Sequence, residues 1–259
     1  MAAVFFDIEG TLWDKDNIIP ESTKSGIQKL KENGHSVFLC SGRTRIFITN
    51  EQLLTLGFDG ILCGCGTHVE YHGEDLLYHK IEDSLMEKSV NLFYEYGMPM
   101  VMEGRYLLYM DPEIISRDPY GRYLLESLKG NTMPIRGNQK YWEVSKFSVL
   151  IENTNYQEVI EALSEYYDFL VHGSFVMEVV PKGFSKATSI KLICEKLGID
   201  RSDTYAFGDS ANDMEMLKYV GCGIAMGNAT PQVKEIADYV TEDLHSDGIY
   251  LALEHFGLI

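Results

Sequence analysis

Ala2-Ala3-Val4-Phe5-Phe6-Asp7-Ile8-Glu9-Gly10-Thr11-Leu12 opens the chain with a short apolar run that breaks off at an acid. The run predicts a strand ending at Asp7. Outward from it, Pro20 to Asn33 carries apolar Ile27 and Leu30 and stops at Gly34, which predicts an amphipathic helix. Val37-Phe38-Leu39-Cys40 then leads into Ser41 as a second strand, so the order is β-α-β. The rhythm returns late. Ile190, Ile193 and Leu197 mark one helical face ending at Gly198, and Tyr205-Ala206-Phe207 leads into Gly208-Asp209. Gly223 to Met226 and Asp238 to Thr241 predict further strands, with Thr230-Pro231 as the N-cap and N1 pair of a helix between them. Both ends of the sequence therefore belong to one doubly wound, Rossmann-like parallel sheet of the α/β class, a three-layer core.

The middle has a different rhythm. Tyr106 to Met110, Phe147 to Ile151 and Phe175 to Val180 read as strands, and Leu85 to Tyr96 and Tyr156 to Tyr166 as helices, without a regular β-α-β order. This predicts an inserted α+β domain over residues 82–182, with the core formed by residues 1–81 and 183–259. Its many Tyr, Phe and Met residues are expected in a core before a ligand surface.

Composition narrows the function. With 22 Lys+Arg against 39 Asp+Glu the formal net charge is −17, which argues against nucleic acid and anionic membrane as partners. The 45% hydrophobic content suits a globular protein with a sizeable core. The first strand begins almost at Met1, leaving no room for a secretory signal, and no apolar run approaches the roughly 20 residues that span a bilayer. Five cysteines form neither an even disulfide framework nor paired C-x-x-C ligand sets. A cytoplasmic protein with reduced thiols, monomer or homodimer, is expected.

Asp7, Ser41 and Asp209 each stand at or just after the end of a predicted strand, at the carboxyl edge where open α/β sheets bind ligands. Four ordered segments sharpen this: Asp7-Ile8-Glu9-Gly10-Thr11-Leu12, Ser41-Gly42-Arg43, Gly183-Phe184-Ser185-Lys186, and Gly208-Asp209-Ser210-Ala211-Asn212-Asp213. With them the chain resembles the haloacid dehalogenase superfamily of phosphohydrolases, in its Cof-like branch, whose large α+β cap lies between the second and third motifs. The resemblance extends to Ala225-Met226-Gly227-Asn228-Ala229 and Asp247-Gly248-Ile249.

The resemblance implies a phosphatase acting on a small phosphorylated metabolite, such as a sugar phosphate, a nucleotide, flavin mononucleotide or pyridoxal phosphate. A carboxylate attacks a polyanionic ester only if cations offset the charge on both partners. Asp7 is then the nucleophile that forms an aspartyl-phosphate. Magnesium, a hard cation that keeps waters beside a few carboxylates, would be held by Asp7, Asp209 and the main-chain carbonyl of Glu9, with Asp213 binding it or orienting its waters. Lys186 supplies a second positive charge. Ser41, the main-chain N–H of Gly42, and Asn212 hold the phosphoryl oxygens, and Arg43 is placed to touch phosphate or leaving group.

Two positions depart from the family pattern. Glu9 stands where these phosphatases carry the aspartate that protonates the leaving group and then activates water. Its carboxylate reaches about 1 Å further, a displacement that can cost on the order of 10²-fold in rate. Gly64-Cys65-Gly66 replaces an Asn-Gly loop and reads as a tight turn with an incidental thiol. A phosphomutase or phosphotransferase would use the same Asp7 chemistry, and a catalytically weak phosphometabolite-binding protein is the alternative that Glu9 raises. A dehalogenase has no need of Lys186, Asp209 and Asp213.

Weaker signals yield to structural readings. His68-Val69-Glu70-Tyr71-His72 lacks the H-E-x-x-H order and alternates like a strand. Asn228-Ala229-Thr230 matches a glycosylation sequon, but Thr230 has a capping role. The glycines from Gly57 to Gly66 lack a dinucleotide fingerprint. In the insert, Arg117, Asp118 and Arg122 are candidate substrate contacts that nothing separates from surface.

Overall fold

The computed structural model describes residues 1–115, 122, 125, 126, 128 and 130–259. Its strands, in chain order, are β1 (Ala3–Phe6), β2 (Ser36–Cys40), β3 (Gly60–Cys63), β4 (His68–Tyr71), β5 (Glu74–Tyr78), β6 (Met100–Glu103), β7 (Leu108–Met110), β8 (Thr132–Met133), β9 (Lys146–Leu150), β10 (Tyr167–His172), β11 (Val176–Pro181), β12 (Thr204–Gly208), β13 (Cys222–Ala225) and β14 (Tyr239–Val240). The chain divides into two compact units, one of residues 1–43, 48–77 and 184–259, the other of residues 44–47 and 78–183.

The first unit is built on a sheet in the order β14-β13-β12-β1-β2-β3-β4-β5. From β14 to β3 every neighbouring pair is parallel, and β4 turns back antiparallel on β3. Ala3, Val4, Phe5 and Phe6 are fully buried, as the central strand of a sheet covered on both faces requires. Phe5 stacks on Phe38 and Phe6 on Phe207, so β1 is locked to a neighbour on each side. The sheet order reverses at β1, because the chain runs to β2 on one side and later to β12 on the other; this is the switch point where such sheets bind ligands. The helix Glu21–Glu32 buries Ile27 and Leu30, and the helix Lys186–Leu197 buries Ile190 and Ile193 and ends on Gly198 in the left-handed conformation. Thr230 does stand at the N-cap of the helix Pro231–Ile236, with Pro231 at its first position, but its side chain makes no capping hydrogen bond. That expectation is corrected: the main-chain N–H of Thr230 instead donates to the Asp209 carbonyl at 3.0 Å.

The second unit carries a sheet in the order β10-β11-β9-β6-β7-β8. The pairs from β10 to β7 are antiparallel and β7–β8 is parallel. Met100, Met102, Phe147, Val149, Met177 and Val179 share its buried core with Met86, Val90 and Phe93 from the helix Asp83–Glu95 and Val159 and Leu163 from the helix Tyr156–Leu163. Most methionines of the insert, with Phe93, Phe147, Tyr109 and Tyr167, are thus core packing, whereas Tyr106, Tyr141, Tyr166 and Phe175 are exposed. Lys146 is buried with its Nζ 2.8 Å from Glu178, while buried Glu103 accepts from Ser148 and from Thr44. Arg122 is exposed, and Arg117 and Asp118 lie outside the described residues. Among the described residues no helix is long and apolar enough to cross a membrane, and all five cysteines are free thiols.

Candidate active site

Register brings the predicted residues to one edge. Phe6 pairs with Leu39 on β2 and Phe207 on β12, so Asp7, Ser41 and Asp209 all emerge at the carboxyl ends of adjacent strands. The Asp7 N–H donates to the Phe207 carbonyl at 3.1 Å and fixes the first residue beyond β1. Asp209 leaves β12 into a short 3₁₀ turn, Ala211–Asp213, that folds Asp213 back: its Oδ2 accepts from the N–H groups of Asp209 and Ser210, each at 3.0 Å. A Cβ on Gly208 would lie 2.6 Å from the Asp213 Cβ, so the glycine is what lets this carboxylate tuck against the strand end.

Lys186 is the first residue of its helix. Ser185 caps that helix, accepting from the Thr188 N–H at 3.3 Å while the Thr188 hydroxyl accepts from the Ser185 N–H at 2.9 Å. A cation in the first turn opposes the helix dipole, and this one is only 2% exposed. It is held there by charge: its Nζ donates to Asp7 Oδ1 at 2.5 Å and to Asp213 Oδ1 at 2.6 Å. Asp7 and Asp213 are themselves 4% and 0% exposed. Oxygens of Asp7, Asp209 and Asp213 come within 4.8 Å of one another.

Burial, reinforced by the nearby Asp213 charge, pushes the Asp7 carboxyl well above the usual range even against the pull of Lys186. Burial and Asp213 likewise raise Asp209 to about 7. Burial works against a charged Lys186, but the Asp213 and Asp7 carboxylates outweigh it and hold the ammonium well above its ordinary value. Three carboxylates face one ammonium, leaving two negative charges unmatched when all are ionised. That excess, on hard oxygen donors only, fits a divalent cation such as Mg²⁺. Nearby, burial pushes the Cys40 thiol up to about 12, so it stays protonated and is no nucleophile.

Of the phosphate-binding candidates, Ser41-Gly42-Arg43 form one loop tied to the turn Gly64–Gly66. Ser41 is buried, and its Oγ accepts from the Arg43 N–H at 3.1 Å. The Gly64 N–H donates to the Arg43 carbonyl at 2.7 Å and the Cys65 N–H to the Ser41 carbonyl at 3.3 Å. Gly64, Cys65 and Gly66 all take positive φ, and a Cβ on Gly66 would lie 2.2 Å from the Ser185 carbonyl. The turn thus wedges between Ser41-Gly42-Arg43 and the residue preceding Lys186. Asn212 accepts from the Ser210 hydroxyl at 2.8 Å.

Glu9 is near enough to add its charge to Asp7 and Asp209, but its ion-pair partner is a different one. Its half-exposed carboxylate pairs with the Arg43 guanidinium, and that guanidinium lies 5.6 Å from the centre of the Trp13 ring. Arg43, expected beside phosphate or leaving group, rests here against Glu9 and Trp13; the expectation itself is neither met nor contradicted by these contacts. Three contributors escaped the sequence reading. Thr11 donates to Asp209 Oδ1 at 3.5 Å. Asn228 donates to the Gly10 carbonyl at 2.7 Å while accepting from the Leu244 N–H at 3.0 Å, pinning the loop after Asp7. Trp13 shelves Arg43. Asn228 stands in a segment the family resemblance covers, which was its one available signal. The His68 segment is strand β4, and His68 Nε2 lies 2.7 Å from Asp75 Oδ1, while His72 takes a positive φ beyond the strand.

Comparison with known proteins adds the following. The model of the haloacid dehalogenase-like hydrolase family matches residues 4–253. The chain is 33% identical over 256 residues to YkrA of Bacillus subtilis strain 168, covering 99% of this chain and 98% of that one. It is 27% identical over 243 residues to the HMP-PP phosphatase of Yersinia pseudotuberculosis, covering 89% of this chain and 85% of the relative. Among solved structures, the sugar phosphatase BT4131 of subclass IIB superposes with a TM-score of 0.85 at 26% identity, with 100% of each chain covered.

Proposed function

The chain belongs to the haloacid dehalogenase-like hydrolases, and from that premise we propose that it is a magnesium-dependent phosphatase of small phosphorylated metabolites in which Asp7 carries the phosphoryl group. The observation that supports this most directly is Lys186 buried between Asp7 and Asp213 at 2.5 and 2.6 Å, with Asp209 completing a cluster short of two positive charges.

In this reading, Asp7, Asp209, Asp213 and the main-chain carbonyl of Glu9 hold the metal or its waters. When bound, the cation supplies positive charge that lets a carboxylate approach a phosphate dianion. Asp7 attacks phosphorus, an acyl-phosphate bond forms, and the bond from phosphorus to the leaving oxygen breaks. Glu9 gives that oxygen a proton. Glu9 then takes a proton from water, whose oxygen attacks the acyl-phosphate, releasing inorganic phosphate and restoring the Asp7 carboxylate. Lys186, Ser41, the Gly42 N–H and Asn212 hold the phosphoryl oxygens as charge builds. The unit of residues 44–47 and 78–183 selects the substrate, as its different architecture suits a separate task.

The relatives' names point to the metabolites worth assaying: HMP-PP, sugar phosphates and a phosphoribitylamino-uracil. Phosphate release from these, together with nucleotides, flavin mononucleotide and pyridoxal phosphate, is measured with Mg²⁺ and with chelator, beside Asp7→Asn. Release with Mg²⁺ that is lost with chelator and with Asp7→Asn is the expected result. Tight metabolite binding with no release under any metal would replace it with a binding protein.

A further inference from the structure

We propose that Arg43 is the positioning residue of Glu9, acting on the reaction through that carboxylate. The proposal rests on the phosphatase reading for its kinetic consequences, and on geometry alone for the pair itself.

Glutamate brings the acid–base group one extra rotatable bond, so it needs something to fix it. The structure supplies a closed ring of contacts. The Glu9 backbone bridges to that of Trp13, and the Gly10 N–H donates to the Trp13 carbonyl at 2.8 Å. The Trp13 ring, only 3% exposed, carries the Arg43 guanidinium at 5.6 Å. Arg43 Nε returns to Glu9 Oε1 and closes the ring. The Arg43 end starts from a fixed backbone. The Arg43 backbone is held on one side by the Ser41 hydroxyl at 3.1 Å and on the other by the Gly64 N–H at 2.7 Å. Lys186, the other cation of the site, is already bound to Asp7 and Asp213.

The extra methylene of Glu9 is what spans to this guanidinium. An aspartate there would stop about 1 Å short, and a displacement of that size costs on the order of 10²-fold when it befalls a reacting group. Glu9 and Arg43 are therefore a matched pair, and restoring the family's usual aspartate alone gives no gain.

Two measurements test this. The first needs no activity: in a ¹⁵N-correlated NMR spectrum of the full-length, metal-free protein, the Arg43 Nε–H is expected to be shifted by its ion pair and to move to the position of a free arginine in Glu9→Gln. An Nε–H resonance unchanged by Glu9→Gln overturns the proposal, whatever the kinetics. The second is a double-mutant cycle on phosphate release. Arg43→Met should lower kcat by about 10-fold or more, Arg43→Lys should recover part of the loss, and in a Glu9→Ala background Arg43→Met should change kcat less than about 2-fold. Equal losses in both backgrounds, or a rise in KM at unchanged kcat, would place Arg43 on the substrate and overturn the proposal. A wild type that releases no phosphate under any metal defeats the phosphatase reading instead, and leaves the spectral test to decide this one.

Discussion

A Cβ placed on Gly10 would lie 2.4 Å from Oδ2 of Asp209, across the gap between two strand ends nearly two hundred residues apart in sequence. Gly10 also holds φ at +72°, which side chains disfavour. The glycine therefore lets the loop after Asp7 pass against the Asp209 carboxylate. Gly10→Ala is expected to displace Asp209, lowering kcat/KM by about 10²-fold, and to destabilise the fold by about 1–3 kcal/mol. Steady-state kinetics and urea denaturation check both. Unchanged kinetics would show that the Asp209 position is not critical.

Lys186 illustrates a charge kept for the site more than for the fold. Replacing it with Met leaves Asp7 and Asp213 buried without their cation, and removing one partner of a buried pair costs about 3–5 kcal/mol. Lys186→Met should therefore unfold at markedly lower denaturant and release no phosphate. Adding Asp7→Asn should regain part of the stability and none of the activity, because it removes one of the two stranded charges. A double variant no more stable than Lys186→Met would contradict this account of the cluster.

The raised Asp209 carboxyl makes stability depend on pH in an unusual direction. Burial and Asp213 lift it to about 7 in the folded chain, whereas a carboxylate in an unfolded chain ionises near about 3.9. Between these values the folded state binds more protons than the unfolded state, so this contribution is fully present below about pH 4 and is lost as pH rises to about 7. Asp7, also raised, acts in the same sense. In chelator, Tm is expected to fall between about pH 5.5 and about pH 8, and Asp209→Asn should flatten the fall. A cation bound only by the folded state adds stability by mass action, and it competes with the protons. The Tm gain from Mg²⁺ should thus be larger at the higher pH. A gain that shrinks with pH would count against these carboxylates as its ligands.

How much of this was legible in the sequence follows from the range of each interaction. Apolar runs such as Val4-Phe5-Phe6 and Val37 to Cys40 announce buried parallel strands locally, and an acid or hydroxyl directly after each marks the sheet edge without any tertiary information. The insert was harder. β6, Met100–Glu103, escaped notice because Met and Glu carry little strand propensity, and β10, Tyr167–His172, because it follows the helical Tyr156 to Tyr166 run with no turn signal between; pairing with β9 and β11 makes them strands. The roles of Thr11, Trp13 and Asn228 depend on side chains meeting across long sequence separations, as when Asn228 donates to the Gly10 carbonyl. The Glu9–Arg43 pair is of the same kind: each residue was singled out, but only the three-dimensional path shows that one reaches the other.

Cys65 gives the last expectation. It is a buried, non-glycine residue at φ +54°, flanked by Gly64 and Gly66 in the same left-handed region. Its N–H holds the Ser41 carbonyl and its thiol lies 3.9 Å from the Gly42 carbonyl, a weak contact at best. What the position requires first is the left-handed backbone conformation, which Gly64 and Gly66 beside it share. Asparagine visits this conformation readily, so Cys65→Asn should keep kcat/KM within about 2-fold and stability within about 1 kcal/mol. A β-branched residue does not, and Cys65→Val is expected to lose about 1–3 kcal/mol and to raise KM by loosening the turn against Ser41-Gly42-Arg43. If Cys65→Asn lost most activity while remaining folded, the thiol itself would be taking part in the site.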